Sequence, residues 1–251
     1  MKRTPKDTDM RVAENIRVAR KTWRMRLEGD TTPLSRPGQF VNIRLDDKYL
    51  RRPISVADYG QGWITLYYDV VGEGTEEMSR IYTGKLRVLV GLGNGFDTGR
   101  SGDSPLLIAG GIGSAPMLGL ARKLTEEGKK VTAILGYNTA ADIVMRKELE
   151  ELGVEVVVST ADGSEGIKGF VTDAFRQLSE EGREFSYYYA CGPMPMLRAV
   201  GTGIKLPGEL SLDERMGCGY GACMCCSIQT RSGAKRICKD GPVFQNTELI
   251  W

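Results

Sequence analysis

The 251-residue sequence contains no histidine. That absence removes imidazole as general acid or base, the Ser-His and Cys-His nucleophile pairs, and zinc sites that need a nitrogen ligand. Long apolar runs are missing too, so nothing is expected to span a membrane. The opening Met1-Lys2-Arg3-Thr4-Pro5-Lys6-Asp7 is charged and has no apolar h-region, which points to the cytoplasm. Excess charge is also scarce: 34 basic against 32 acidic residues leave +2, too weak a field to grip nucleic acid or anionic lipid. Chemistry must then come from a cofactor, a thiolate, a carboxylate or a lysine.

With 41% hydrophobic residues the chain can build two domains and a small appendage. Residues 11–14, 16–27, 39–45, 63–71 and 85–90 are rich in β-formers and are separated by turn signals such as Arg36-Pro37-Gly38 and Gly91-Leu92-Gly93-Asn94-Gly95. Short strands at this spacing predict an antiparallel barrel over 1–99. From residue 100 the pattern alternates. Apolar runs at 105–109, 131–135, 154–159 and 185–190 are interleaved with helical spacing at 115–125, 142–152, 171–178 and 194–200. Continuous apolar strands between helices predict a doubly wound parallel sheet over 100–206. Residues 207–251 form a third segment with too little apolar sequence for its own core.

Five of the six cysteines fall in that last segment, within 21 residues. A disulfide framework spreads its cysteines, whereas a cluster points to metal in a reducing compartment. Cys218-x4-Cys223-x2-Cys226-x11-Cys238 has the spacing of a plant-type [2Fe–2S] loop, with small Gly217, Gly219, Gly221 and Ala222 between the ligands. A structural zinc knot is the alternative, and free thiols a second. Cys225 adjoins Cys226 and is read as a non-ligand, since neighbouring residues do not easily reach one iron.

Two further patterns suggest nucleotide binding. Gly110-Gly111-Ile112-Gly113-Ser114-Ala115-Pro116 follows an apolar strand and opens a helix, where tight turns and helix amides suit a pyrophosphate. Cys191-Gly192-Pro193 ends the last apolar run, at a strand's carboxyl end, where open α/β sheets bind ligands. In the barrel region, Arg52-Pro53-Ile54-Ser55 places a cation and a hydroxyl on one extended segment. Gly72-Glu73-Gly74-Thr75 opens a helical stretch.

Together these motifs resemble the ferredoxin–NADP⁺ reductase superfamily, an FAD-binding barrel followed by a pyridine-nucleotide domain. Ile54 stands where that superfamily usually has an aromatic. With the C-terminal cysteines, nearly the whole chain resembles the electron-transfer subunits of the NAD-linked (type 1B) dihydroorotate dehydrogenases. Reductase subunits of sulfide dehydrogenase and of NADH-dependent ferredoxin–NADP⁺ oxidoreductase share most of the pattern. The resemblance implies an oxidoreductase subunit carrying FAD, a [2Fe–2S] cluster and NAD. In it Arg52 meets the FAD phosphate, Ser55 bonds near the isoalloxazine, Tyr68, Asp69 and Val70 run past the flavin, and Gly74 and Thr75 lie at its pyrophosphate. Gly110, Gly111, Gly113 and Ser114, with Gly192 and Pro193, cradle the pyridine nucleotide, and Cys191 borders the hydride path. Cys218, Cys223, Cys226 and Cys238 hold the cluster. The implied partner is an FMN subunit that oxidises dihydroorotate, in a heterotetramer of two of each. The rival of another class is a zinc-stabilised interaction module.

Overall fold

The computed structural model describes residues 4–251. The first six strands close into a barrel: β1 (Lys6–Arg17), β2 (Thr22–Glu28), β3 (Phe40–Ile43), β4 (Arg52–Gly60), β5 (Trp63–Asp69) and β6 (Lys85–Leu92). Their order is β1-β2-β5-β4-β3-β6, antiparallel throughout, with β6 returning to β1. Closure leaves no free edge. Met10, Met25, Leu27, Val41, Ile64, Leu66 and Val88 fill the interior. A short helix, α1 (Glu73–Ser79), follows β5.

The sequence run at 16–27 is not one strand. It breaks at Val18–Lys21, where the amides of Val18 and Ala19 both donate to the Thr22 carbonyl and form the β1–β2 turn. The charges of Arg17, Arg20 and Lys21 favour a solvated turn over a continued ladder. Residues 52–60, which carry the Arg-Pro-Ile-Ser motif, form a barrel strand of their own.

The second half is an open sheet. β7 (Pro105–Gly110), β8 (Thr132–Tyr137), β9 (Glu155–Thr160), β10 (Ile167–Lys168), β11 (Tyr187–Cys191), β12 (Gly208–Ser211) and β15 (Val243–Gln245) stand in the order β10-β9-β8-β7-β11-β12-β15, all parallel except the last. Both faces are covered. Leu107, Ala109, Ala133 and Leu135 pack beneath α2 (Met117–Glu126) and α3 (Arg146–Glu151). Leu106, Ile108, Ile134 and Ala190 pack beneath α4 (Val171–Glu180) and α5 (Met194–Gly203). The barrel-plus-parallel-sheet architecture agrees with the sequence pattern. The cysteine-bearing tail, however, supplies β12 and β15 to this sheet, framing an irregular loop, the hairpin β13 (Ser227–Thr230) and β14 (Gly233–Arg236), and the single turn α6 (Ile237–Asp240).

Barrel and sheet meet along α2 and β4. Asp58, buried on β4, accepts from Arg122 Nε at 3.2 Å. Gly119 lets the helix approach so closely that a Cβ there would lie 2.9 Å from the Ala57 carbonyl oxygen. Replacing Gly119 by Val is therefore expected to overpack this junction and cost about 1–3 kcal/mol. Chemical denaturation of the purified protein checks this, and an unchanged midpoint refutes it.

Candidate functional site

Parallel pairing sets Ala109 beside Cys191, so the turns that leave β7 and β11 lie against each other at the sheet's carboxyl edge. Three of the glycines are explained by that contact. A Cβ on Gly113 would lie 2.5 Å from the Cys191 carbonyl oxygen. One on Gly110 would meet Met196 Sδ at 2.5 Å, and one on Gly192 would meet Met196 Cε at 2.6 Å. Pro193 caps α5 and packs against Gly110. Gly111 differs: its φ is +53° and a Cβ would project into open space. The turn backbone there can approach a pyrophosphate, with the amino end of α2 behind it.

Ser114 is fully buried and its hydroxyl donates to the Gly111 carbonyl at 2.8 Å, so it braces the turn from below. Burial pushes the Cys191 thiol up to about 12, with the Ser211 hydroxyl opposing it. A neutral sulfur there can pack against a ligand but not attack one.

The barrel motif lies on another wall. In β4, Pro53 pairs with Asn42 and Ser55 with Phe40, so these four side chains share one face. Ile54 turns the other way, onto the barrel core. The Arg52 guanidinium lies over α1: a Cβ on Gly74 would sit 2.0 Å from Arg52 Nε. A cation pressed against the positive end of a helix fits an anion that joins them, as a diphosphate would. Thr75 serves the turn itself, its Oγ1 accepting from the amides of Val71 (2.9 Å) and Gly72 (3.3 Å).

Tyr68 does not lie on the outer face. Its ring is in the barrel interior and its hydroxyl donates to Asn15 Oδ1 at 2.9 Å. Asp69 is engaged by the Thr22 hydroxyl at 2.6 Å and by Lys21 at 2.8 Å, and the Val70 amide donates to the Lys21 carbonyl. The outward aromatic is Tyr67, one residue earlier, which donates to Glu148 Oε1 at 3.1 Å across the domain junction. On a strand a one-residue difference exchanges faces, and the Tyr67-Tyr68 pair hides which ring faces out.

The four cysteines come together from two elements. Three lie in the irregular loop after β12, where Gly219, Gly221 and Met224 all have positive φ. The fourth, Cys238, is in α6. The sulfurs fall into two pairs. The amides of Ala222 and Cys223 donate to Cys218 Sγ at 3.2 and 3.4 Å, and the Cys218 amide to Cys223 Sγ at 3.4 Å. The Cys238 amide donates to Cys226 Sγ at 3.4 Å. Burial opposes ionisation of Cys218, but the amides of Cys223, Tyr220 and Ala222 outweigh it and bring the thiol down to about 6. Burial, then Cys226 beside it, pushes Cys238 up to about 12. Four sulfurs in two pairs, with amides aimed at them, fit a centre of two irons that carries net negative charge. Cys225 points elsewhere, its Sγ lying 3.5 Å from the Arg215 carbonyl oxygen.

Two asparagines absent from the sequence motifs fasten this loop to the barrel. Asn94, after β6, donates to the carbonyls of Val243 (2.8 Å) and Asp240 (3.3 Å) and accepts from the Val243 amide (3.1 Å). Asn42, on β3, donates to the Cys218 carbonyl at 3.2 Å. A polar residue inside the apolar Phe40-Val41-Asn42-Ile43 strand was the available signal for the second. The cysteine loop thus sits on the wall that carries Pro53 and Ser55.

Comparisons with known proteins agree with this geometry. Residues 107–202 match the oxidoreductase NAD-binding domain family, and residues 213–250 the iron–sulfur cluster binding domain of dihydroorotate dehydrogenase B. The second match favours iron–sulfur over zinc at the cysteines. The solved structure of an NADH-dependent reduced ferredoxin–NADP oxidoreductase superposes with a TM-score of 0.87 at 32% identity, covering 96% of this chain and 90% of that one. A flavohemoglobin-like FAD/NAD binding domain of nitric oxide dioxygenase from Vibrio cholerae, 20% identical over 82% of this chain and 99% of its own, shares the fold with a TM-score of 0.68. The electron transfer subunit of dihydroorotate dehydrogenase B (NAD(+)) from Fusobacterium nucleatum is 41% identical, with 96% of this chain and 97% of its own length aligned. That of Shouchella clausii is 39% identical over 95% and 96%. At this identity along almost the whole sequence, the chain belongs to the family of electron transfer subunits of dihydroorotate dehydrogenase B (NAD(+)).

Proposed function

We propose that the chain relays electrons from a cytoplasmic FMN-bearing partner, which oxidises dihydroorotate to orotate, to NAD⁺, in an assembly of two copies of each subunit. The observation that carries this reading is the shared wall: the cysteine loop is docked beside Pro53 and Ser55, with Asn42 bonded to the Cys218 carbonyl. Bound FAD supplies exchange of a hydride with nicotinamide and of single electrons with a one-electron centre.

The chain's residues then have distinct tasks. Arg52, over the Gly74 end of α1, binds the FAD diphosphate, and the Pro53–Ser55 face orients the ring. Gly110, Gly113 and Gly192 lock the β7 and β11 turns together, and Gly111 offers its open backbone to the pyridine dinucleotide. Cys191 stays a neutral thiol and excludes water without exchanging a proton. Cys218, Cys223, Cys226 and Cys238 hold the cluster in two pairs. Exposed Tyr220 and Met224 flank it, an apolar margin suited to a partner. Beyond β8, residues 138–142 carry Asp142 and no Lys or Arg for a 2′-phosphate, which favours NAD over NADP.

The purified chain, free of FMN, is expected to reduce dye acceptors with NADH in preference to NADPH and to leave dihydroorotate untouched. Steady-state assays with each donor test this, and robust dihydroorotate oxidation by the chain alone would sink it. Serine at Cys218, Cys223, Cys226 or Cys238 should abolish or grossly reduce bound iron and visible absorption, while Cys225→Ser keeps both. Metal analysis of anaerobically purified variants decides, and zinc in place of iron in the wild type counts against the reading. Because the Cys191 thiol lies near 12, NADH oxidation should show no thiol ionisation between about pH 6 and 10. A rate step in that range that disappears in Cys191→Ala contradicts this role.

A further inference from the structure

The segment that leads into β4 is fastened at the start of α1. Lys48 pairs with Glu73, the first residue of that helix, at 2.7 Å. Arg52, whose guanidinium lies over Gly74, donates from Nη1 to the Leu50 carbonyl at 2.5 Å. Arg51 is taken up by Asp7 in a two-point contact at 2.8 and 3.1 Å. What this tethered segment leaves in solvent is apolar. Tyr49 is fully exposed, Leu50 beside it is exposed, and so is Val71, whose amide bonds to Thr75 in the turn before α1. A ring whose backbone is held on both sides and whose surface is covered by nothing gains no packing energy from the fold.

We infer that Tyr49 is the platform for the adenine of FAD, its ring stacking on the base and Leu50 extending the apolar surface. The inference deepens the proposed function and rests on Arg52 as the diphosphate anchor. With the diphosphate at Arg52 and the flavin running along β4 toward Ser55, the adenosine half leaves in the opposite direction, past Leu50 and Tyr49. Three residues of chain separate Tyr49 from Arg52, at most about 10 Å, a span that a ribose and its base cover. Adenine is neutral and flat, so it asks for an open aromatic face and not for a counter-charge. The acids at the start of α1 do not compete for the diphosphate anchor, since Glu73 is engaged by Lys48 and Glu76 by Arg80.

The test uses the full chain, purified anaerobically, stripped of FAD and titrated by flavin fluorescence. Tyr49→Ala should weaken FAD binding about tenfold, a typical effect of losing one base–aromatic stack, and Tyr49→Trp should bind within about twofold of wild type. FMN carries the flavin without the adenosine, so wild type and Tyr49→Ala should bind it alike. ADP carries the other half, and by calorimetry it should bind flavin-free wild type about ten times more tightly than flavin-free Tyr49→Ala. Iron and sulfide content should stay at the wild-type level in both variants, because the ring supports nothing in the fold. The inference is overturned if Tyr49→Ala binds FAD as wild type does, or if it loses FMN as much as FAD. A Tyr49→Ala chain that keeps its FAD affinity but no longer associates with the FMN subunit gives the ring to a protein partner, and overturns it too. Failure of the underlying reading shows separately: Arg52→Ala that binds FAD like wild type removes the diphosphate anchor, and the inference with it.

Discussion

The docking of the cysteine segment onto the outside of the barrel is the constraint on which the rest depends. That segment has too little apolar sequence to fold alone. It gains a core by lending β12 and β15 to the parallel sheet and by burying Cys226, Ile237, Cys238 and Phe244 against Phe40 and Leu92 of the barrel. The Asn94 side chain completes the attachment through three hydrogen bonds to the segment's backbone. Sulfur ligands on a flexible tail would hold a cluster at no fixed distance from anything. Sulfur ligands clamped between two folded bodies hold it in one place.

Geometry at the sheet edge follows the same economy. Most glycines of the two motif turns are there because neighbours crowd them, the Cys191 backbone at Gly113 and the Met196 side chain at Gly110 and Gly192, and only Gly111 leaves room for something else. The motif that resembles a nucleotide cradle is therefore largely a packing device that sets the cradle's shape. Hydroxyls that looked like ligands in the sequence, those of Ser114 and Thr75, likewise hold their own turns. A turn braced in this way loses less entropy when a ligand binds to it.

The pattern of charge at the barrel wall supports one kind of occupant. Arg52 lies against the amino end of α1 and makes no ion pair with a carboxylate among the described residues, whereas Arg122, Arg183 and Arg236 are each paired with one. A cation beside helix amides suits an anionic ligand such as a diphosphate.

Local pattern determined much of this protein. Short β-rich segments between turn signals pointed to a barrel, apolar runs between helical spacings to a parallel sheet, and the cysteine spacing to a two-iron centre. These are legible because periodicity and ligand spacing are properties of neighbouring residues. Tertiary structure alone decided which face a residue occupies and what it touches. It put Tyr67 outside and Tyr68 inside, gave the tail's strands to the sheet, and brought Asn42 against a cysteine 176 positions away. No local pattern records such contacts, because they exist only once the chain has closed its loops and packed one element on another.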